Sequence, residues 1–217
     1  MDSPQDLASL SDGRKVGLGS WLGWAVVLGL LAYFLNKYAF HYFVVTPQSY
    51  GTYYWLRILW LLPHVAAGLL AIVIGPLQFW PKIRRDYLQF HRVAGRVYVV
   101  LVLIGAAGAL GLAGKIKGSP AYALGLAGLA TAWVTTTLMA FVAIRRKNLT
   151  QHKQWMVRSY VVTFAFVTFR LADDVLQAAH VQNEDVRSKY LAWACWAVPL
   201  LVAEVVMQGR AVFQKRT

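Results

Sequence analysis

Acid is scarce in this sequence. Nine Asp and Glu stand against 22 Lys and Arg, and charged residues of both signs make up only 14% of the 217. Soluble domains carry about 25% charged residues, so a chain this poor in charge does not build an ordinary water-facing surface. Cysteine is nearly missing as well. The lone Cys195 lies inside an apolar run, which excludes a disulfide framework and CxxC chemistry. No phosphate-cradling glycine loop, HExxH, zinc-ligand cluster or nucleophile elbow is present, which removes nucleotide-binding, metallopeptidase and serine-hydrolase readings. Period-two alternation is absent from the apolar segments, so a transmembrane barrel is excluded. The polar start has no signal-peptide cleavage pattern, and the first apolar run therefore reads as a retained helix.

What the chain does have is apolar length. Hydrophobic residues make up 58% and the mean hydropathy is +0.47. They fall in runs of about 20, enough to cross a hydrocarbon layer of roughly 30 Å. Peptide groups in lipid must bond within their own segment, so such runs are helices. The expected fold is all-α: a polytopic six-helix transmembrane bundle. Its spans are Ser20–Phe43, Trp55–Trp80, Phe90–Gly114, Ala121–Ile144, Met156–Ala179 and Tyr190–Gln208. The chain thus divides into a cytoplasmic segment 1–19, a transmembrane domain 20–208 and a cytoplasmic tail 209–217. Thr46-Pro47-Gln48-Ser49-Tyr50-Gly51 and Lys117-Gly118-Ser119-Pro120 are turn chemistry between spans.

The basic residues orient this bundle. One side collects Arg14, Lys15, a cluster from Lys82 to Arg96, a second from Arg145 to Arg158, and Arg210, Lys215 and Arg216. The other side has Lys37, Arg57, Lys115, Lys117, Arg187 and Lys189. The richer side is expected in the cytoplasm, with both termini there. Trp55, Trp80, Tyr87 and Tyr190 fall near span ends, where an aromatic belt places them. The net charge of +13 is therefore topological rather than a nucleic-acid footprint.

Two of the basic loops match each other. Ile83-Arg84-Arg85, Leu88 and His91-Arg92 recur 61 residues later as Ile144-Arg145-Arg146, Leu149 and His152-Lys153. Arg96 and Tyr98 recur as Arg158 and Tyr160, with one residue inserted. Equal spacing and orientation imply an internal repeat of two parallel hairpins, helices 2–3 and 4–5.

The repeat defines the first candidate site: His91, Arg92, Arg96, Tyr98, His152, Lys153, Arg158 and Tyr160. Imidazoles from two facing helices are the axial ligand set of a b-type haem, His91 and His152 holding the iron. The arginines suit its propionates or a quinone head group. Lipid phosphate or water at an interfacial histidine is the plainer alternative. A second candidate is an outer polar pocket of His64, Arg170, Asp173 and Asp174, flanked by His41 and His180. Asp173 and Asp174 follow Arg170 at i+3 and i+4 and can partly neutralise it. Gly68 and Gly75 on the His64 helix allow close approach, and the ladder Gly105, Gly108, Gly111, Gly114 reads as helix packing. Glu204 is expected to pair with Arg96 or Arg158.

The stretches His64-Val65-Ala66-Ala67-Gly68, Gly75-Pro76-Leu77-Gln78-Phe79, His91 through Tyr98 and His152 through Tyr160 together resemble a family of predicted bacterial membrane proteins of unknown function. The likeness covers helices two to five, about half the chain. Where the pattern has His-Arg, this sequence has His152-Lys153, which keeps the charge. The resemblance implies a six-helix protein of the bacterial inner membrane. A weaker likeness is to ferric-reductase-type transmembrane b-type cytochromes, in which His91 and His152 would match one histidine pair; a second pair is not found.

The leading expectation is a small membrane redox protein with one haem b, working with membrane lipids, a quinone or a redox partner protein. A cofactor-free transporter or lipid-interacting protein would instead use His64, Arg170, Asp173 and Glu204 as a polar pathway. A structural subunit of a larger membrane complex is the third reading.

Overall fold

The computed structural model describes residues 18–181 and 183–213, and no strand occurs among them. The chain separates after Phe40 into two compact units. The first holds α1 (Leu18–Phe34), which widens into one π turn over Leu35–Ala39. Lys37 bends back there to donate to the Tyr33 hydroxyl at 3.0 Å and lies 5.1 Å from the Tyr38 ring centroid. A lone cation on an apolar helix is solvated by its own aromatic neighbours.

The second unit begins at His41. Its first α-helix, α2 (Pro47–Trp55), starts where Thr46 accepts the Ser49 amide at 3.2 Å and Pro47 occupies the first helical position. Gly51, at φ +66°, interrupts it. Then follow α3 (Ile58–Phe79), the short α4 (Pro81–Asp86), α5 (Leu88–Ala113), α6 (Pro120–Arg145), α7 (Leu149–Thr163), α8 (Ala165–Ala178) and α9 (Glu184–Phe213). Tight reversals separate them. Gly118 takes φ +81° before α6, while Lys147 and His180 take left-handed conformations after α6 and α8. Asn148 and Asn183 accept amides at the starts of α7 and α9.

Among the described residues, five helical segments are long and apolar enough to cross a membrane: Leu22–Ala39, Ile58–Phe79, Leu88–Ala113, Pro120–Arg145 and Glu184–Arg210. They follow five of the expected spans within a few residues. At most 39% of each apolar window is buried within the protein, and side chains such as Leu59, Leu201 and Val205 point outward. An apolar exterior of this extent is built for lipid, not water. The expected span Met156–Ala179 is instead divided, falling on α7 and α8 with a break at Phe164. Two back-bonded threonines flank the break: Thr163 donates to the Ser159 carbonyl at 2.8 Å and Thr168 to the Phe164 carbonyl at 3.3 Å. Such bonds compete with the helical ladder and bend it.

Helix α3 packs chiefly on α5, α6 on α7, and α9 lies along α6, α7 and α8. The core between them is small-residue and aromatic, with Ala71, Tyr98, Val102, Ala106, Ala130 and Trp133 at its centre. Glycine sets the close approaches. A Cβ on Gly108 would lie 2.6 Å from the Trp60 carbonyl oxygen, and one on Gly75 would lie 2.1 Å from the Tyr160 ring. The expected ladder therefore packs at Gly105, Gly108 and Gly111, whereas Gly114 and Gly68 face no close neighbour.

Candidate functional site

Helices α5 and α7 begin at Leu88 and Leu149, residues 61 apart, and place His91 and His152 at the same helical position. The His91 amide donates to the Tyr87 carbonyl at 3.0 Å and the His152 amide to the Asn148 carbonyl at 2.9 Å. What precedes the two helices differs. Arg84 and Arg85 belong to α4, whereas Arg145 closes α6.

His152, Arg84 and Arg92 all lie in the neighbourhood of His91. His152 Nδ1 lies 2.9 Å from the Ala140 carbonyl oxygen. A carbonyl only accepts, so Nδ1 carries a proton, and in the neutral ring Nε2 is the nitrogen with the lone pair. His91 Nδ1 is buried and has no hydrogen-bond partner. Gln78 Nε2, at the end of α3, and Arg158 Nη1, on α7, are likewise buried and unpartnered. Among the described residues, no three His, Cys, Asp or Glu gather as a metal-binding group. A two-histidine set is what this end of the bundle offers.

The other residues expected at this site divide by their surroundings. Arg92, Arg96 and Lys153 are exposed. Arg158 is committed elsewhere, donating to Glu204 Oε2 from Nε at 2.8 Å and from Nη2 at 2.6 Å. It also stands 4.7 Å from the Trp155 ring centroid. Of the two partners expected for Glu204, the structure selects Arg158. Tyr98 is fully buried, and its hydroxyl bonds Ser159 at 2.9 Å and Thr163 at 2.6 Å. Tyr160 donates to the Ile72 carbonyl at 3.1 Å. Both tyrosine hydroxyls are thus engaged within the protein.

Around Tyr98 lies a buried polar seam that sequence reading missed. Trp133 Nε1 donates to Thr163 at 2.8 Å, and the Thr137 and Ser159 hydroxyls lie 2.7 Å apart. Its only sequence signals were the triplet Thr135-Thr136-Thr137 within an apolar span, and Ser159 at the repeat spacing from Tyr98.

At the opposite end, His64 is buried, its Nδ1 donating to the Gly105 carbonyl at 2.7 Å. The Phe166 ring lies 5.3 Å from it. Arg170 stands 5.9 Å from the Phe169 ring centroid, near Tyr54 and Tyr122. Asp173 pairs with Arg187, whose Nε donates to it at 2.8 Å. Arg187 Nη1 also donates to the Val181 carbonyl at 2.6 Å. In the sequence, Arg187 read only as an orienting charge. Asp174 is half-buried on the same helix, and His180 is exposed at its end. The side chain of His41 lies outside the described residues.

No curated protein and no solved structure matches the chain. A family model does match, over residues 61–207, and its description is "Predicted membrane protein (DUF2306)", a family of unknown function. The chain belongs to that family.

Proposed function

We propose that this member of the family is a six-span membrane redox protein holding one b-type haem between His91 and His152, with both termini in the cytoplasm of a bacterial cell. One observation carries the reading. Two imidazoles share a helical position on α5 and α7, and one of them has a buried ring nitrogen with no hydrogen-bond partner. The residues fit the group. His152 is held by Nδ1 on the Ala140 carbonyl with Nε2 left for a ligand bond, the orientation that outer-shell carbonyls give to metal-bound histidines. A haem so held supplies one-electron transfer. Arg92 and Arg96 are exposed on α5 and suited to its propionates or to a quinone head group. Arg158 works through Glu204 and fastens α7 to α9.

The hairpin repeat has support from the matched starts of α5 and α7 and from the preferential packing of α3 on α5 and α6 on α7. The α7–α8 pair serves as the sixth span, and the positive-inside bias places the α4 end in the cytoplasm. The cofactor-free polar pathway draws less support. Two carboxylates it requires, Asp173 and Glu204, are spent on Arg187 and Arg158.

The test is an optical spectrum of protein purified from haem-replete cells. A Soret band that shifts on dithionite reduction, and is lost in His91→Ala and in His152→Ala, is expected. A colourless, monodisperse preparation sinks the haem reading. Orientation has its own check, since a reporter fused at Thr217 should behave as cytoplasmic.

A further inference from the structure

At the end of the bundle away from His91, the second unit opens a cleft of about 390 Å³ between α2, the start of α3 and the α5–α6 turn. Its walls are of two kinds. Leu112, Ile116 and Leu126 are apolar, while Arg57, Lys115 and Lys117 bring three cations to one opening. Tyr53, Tyr54 and Tyr122 complete the lining. No carboxylate is part of it.

Arg57 is the fixed member. Its Nη1 donates to the Tyr53 carbonyl at 2.6 Å, and its guanidinium lies 3.8 Å from the Tyr53 ring centroid. That double hold fixes the fork before any ligand arrives, so little rotamer entropy remains to be lost on binding. Its Nε is buried and has no hydrogen-bond partner. A buried donor on a cation is costly to leave unmet, and an anionic oxygen satisfies it.

Lys115 and Lys117 are exposed beside it and add charge without fixed geometry. Burial lifts the Tyr54 phenol above its ordinary value, the Tyr42 phenol adds to the rise, and the Arg170 cation opposes it. Tyr54 therefore stays a neutral hydrogen-bond donor. Arg170 and Glu184 both lie within electrostatic reach of Tyr54.

We propose that this cleft binds the phosphate of an anionic lipid head group, with Arg57 as the directional contact and Lys115 and Lys117 as the electrostatic one. The site lies at the ends of apolar spans, where head groups sit, and its apolar wall suits the glycerol and upper acyl region of a lipid more than a hydrated ion.

The test is a titration of the detergent-solubilised full chain, followed by thermal stability. Three probes are compared: phosphatidylglycerol, phosphatidylcholine and inorganic phosphate. Phosphatidylglycerol should raise the unfolding temperature saturably, and phosphatidylcholine should not. Arg57→Gln should weaken the apparent affinity roughly tenfold or more, the scale of one lost charged hydrogen bond. Lys115→Gln/Lys117→Gln changes only exposed side chains, so it keeps the test valid if Arg57→Gln fails to fold. This double variant should weaken binding and flatten its salt dependence. An equal response to phosphatidylcholine, or a phosphatidylglycerol response unchanged in the lysine variant, overturns the site. A full response to inorganic phosphate alone overturns the lipid as its source.

Discussion

The two helix pairs at the centre of the bundle are held together by opposite means. Between α3 and α5 the contact is made by omission. Gly108 and Gly111 leave room for the Trp60 carbonyl and ring, and the buried polar contact is the imidazole of His64 on the Gly105 carbonyl. Between α6 and α7 the contact is made by hydroxyls, with Thr137 meeting Ser159, and Trp133 meeting Thr163. Tyr98 reaches into that second seam from α5 and fastens one pair to the other. Lipid supplies no hydrophobic drive between helices, so each interface must rest on packing or on polar bonds. The first pair uses the former and the second the latter.

The contrast sets an order of sensitivities. Gly108→Ala should be the most damaging. Its methyl meets backbone on α3, which cannot swing aside, and overpacking of this kind costs about 3 kcal/mol. Chemical unfolding in detergent reads the loss, and a near-neutral result would mean that α3 and α5 are not held at this separation. Tyr98→Phe comes next, at about 1–2 kcal/mol, because it leaves Ser159 and Thr163 each short of a bond in a dry seam. A double cycle with Ser159→Ala should show strong coupling, and additive losses would dissolve the network into independent contacts. Gly68→Ala should be the mildest. No neighbour lies within 4 Å of its added methyl, and better helix propensity should stabilise by up to about 1 kcal/mol. A large loss there would show that the α3 surface around Gly68 is also an interface.

Much of this was legible from the sequence, and the boundary is physical. Apolar run length placed five spans because crossing hydrocarbon demands it, whatever the tertiary contacts. The matched starts of α5 and α7 were legible because the two loops before them repeat at one spacing. The break at Phe164 was not, since it depends on threonines whose hydroxyls turn to their own helix. Gly68 and Gly75 look alike in sequence, yet only Gly75 receives a ring, that of Tyr160. The hydroxyl seam was hidden because Ser and Thr within a span acquire meaning only when a second helix supplies the partner. Arg57, Lys115 and Lys117 read as minor orienting charges, and the cleft that gathers them has no linear signature.

The two ion pairs on α9 bear on how the chain is made. Arg158 and Asp173 lie on α7 and α8, and each finds its counter-charge on α9, in Glu204 and Arg187. Ribosomes deliver the chain in order, so both charges emerge before the residues that neutralise them. Until α9 docks, Arg158 lacks Glu204 and Asp173 lacks Arg187, which is costly for charges on apolar helices in lipid. A chain stopped before Glu184 would keep that mismatch permanently. Helix α9 therefore completes the charge balance at Arg158 and Asp173.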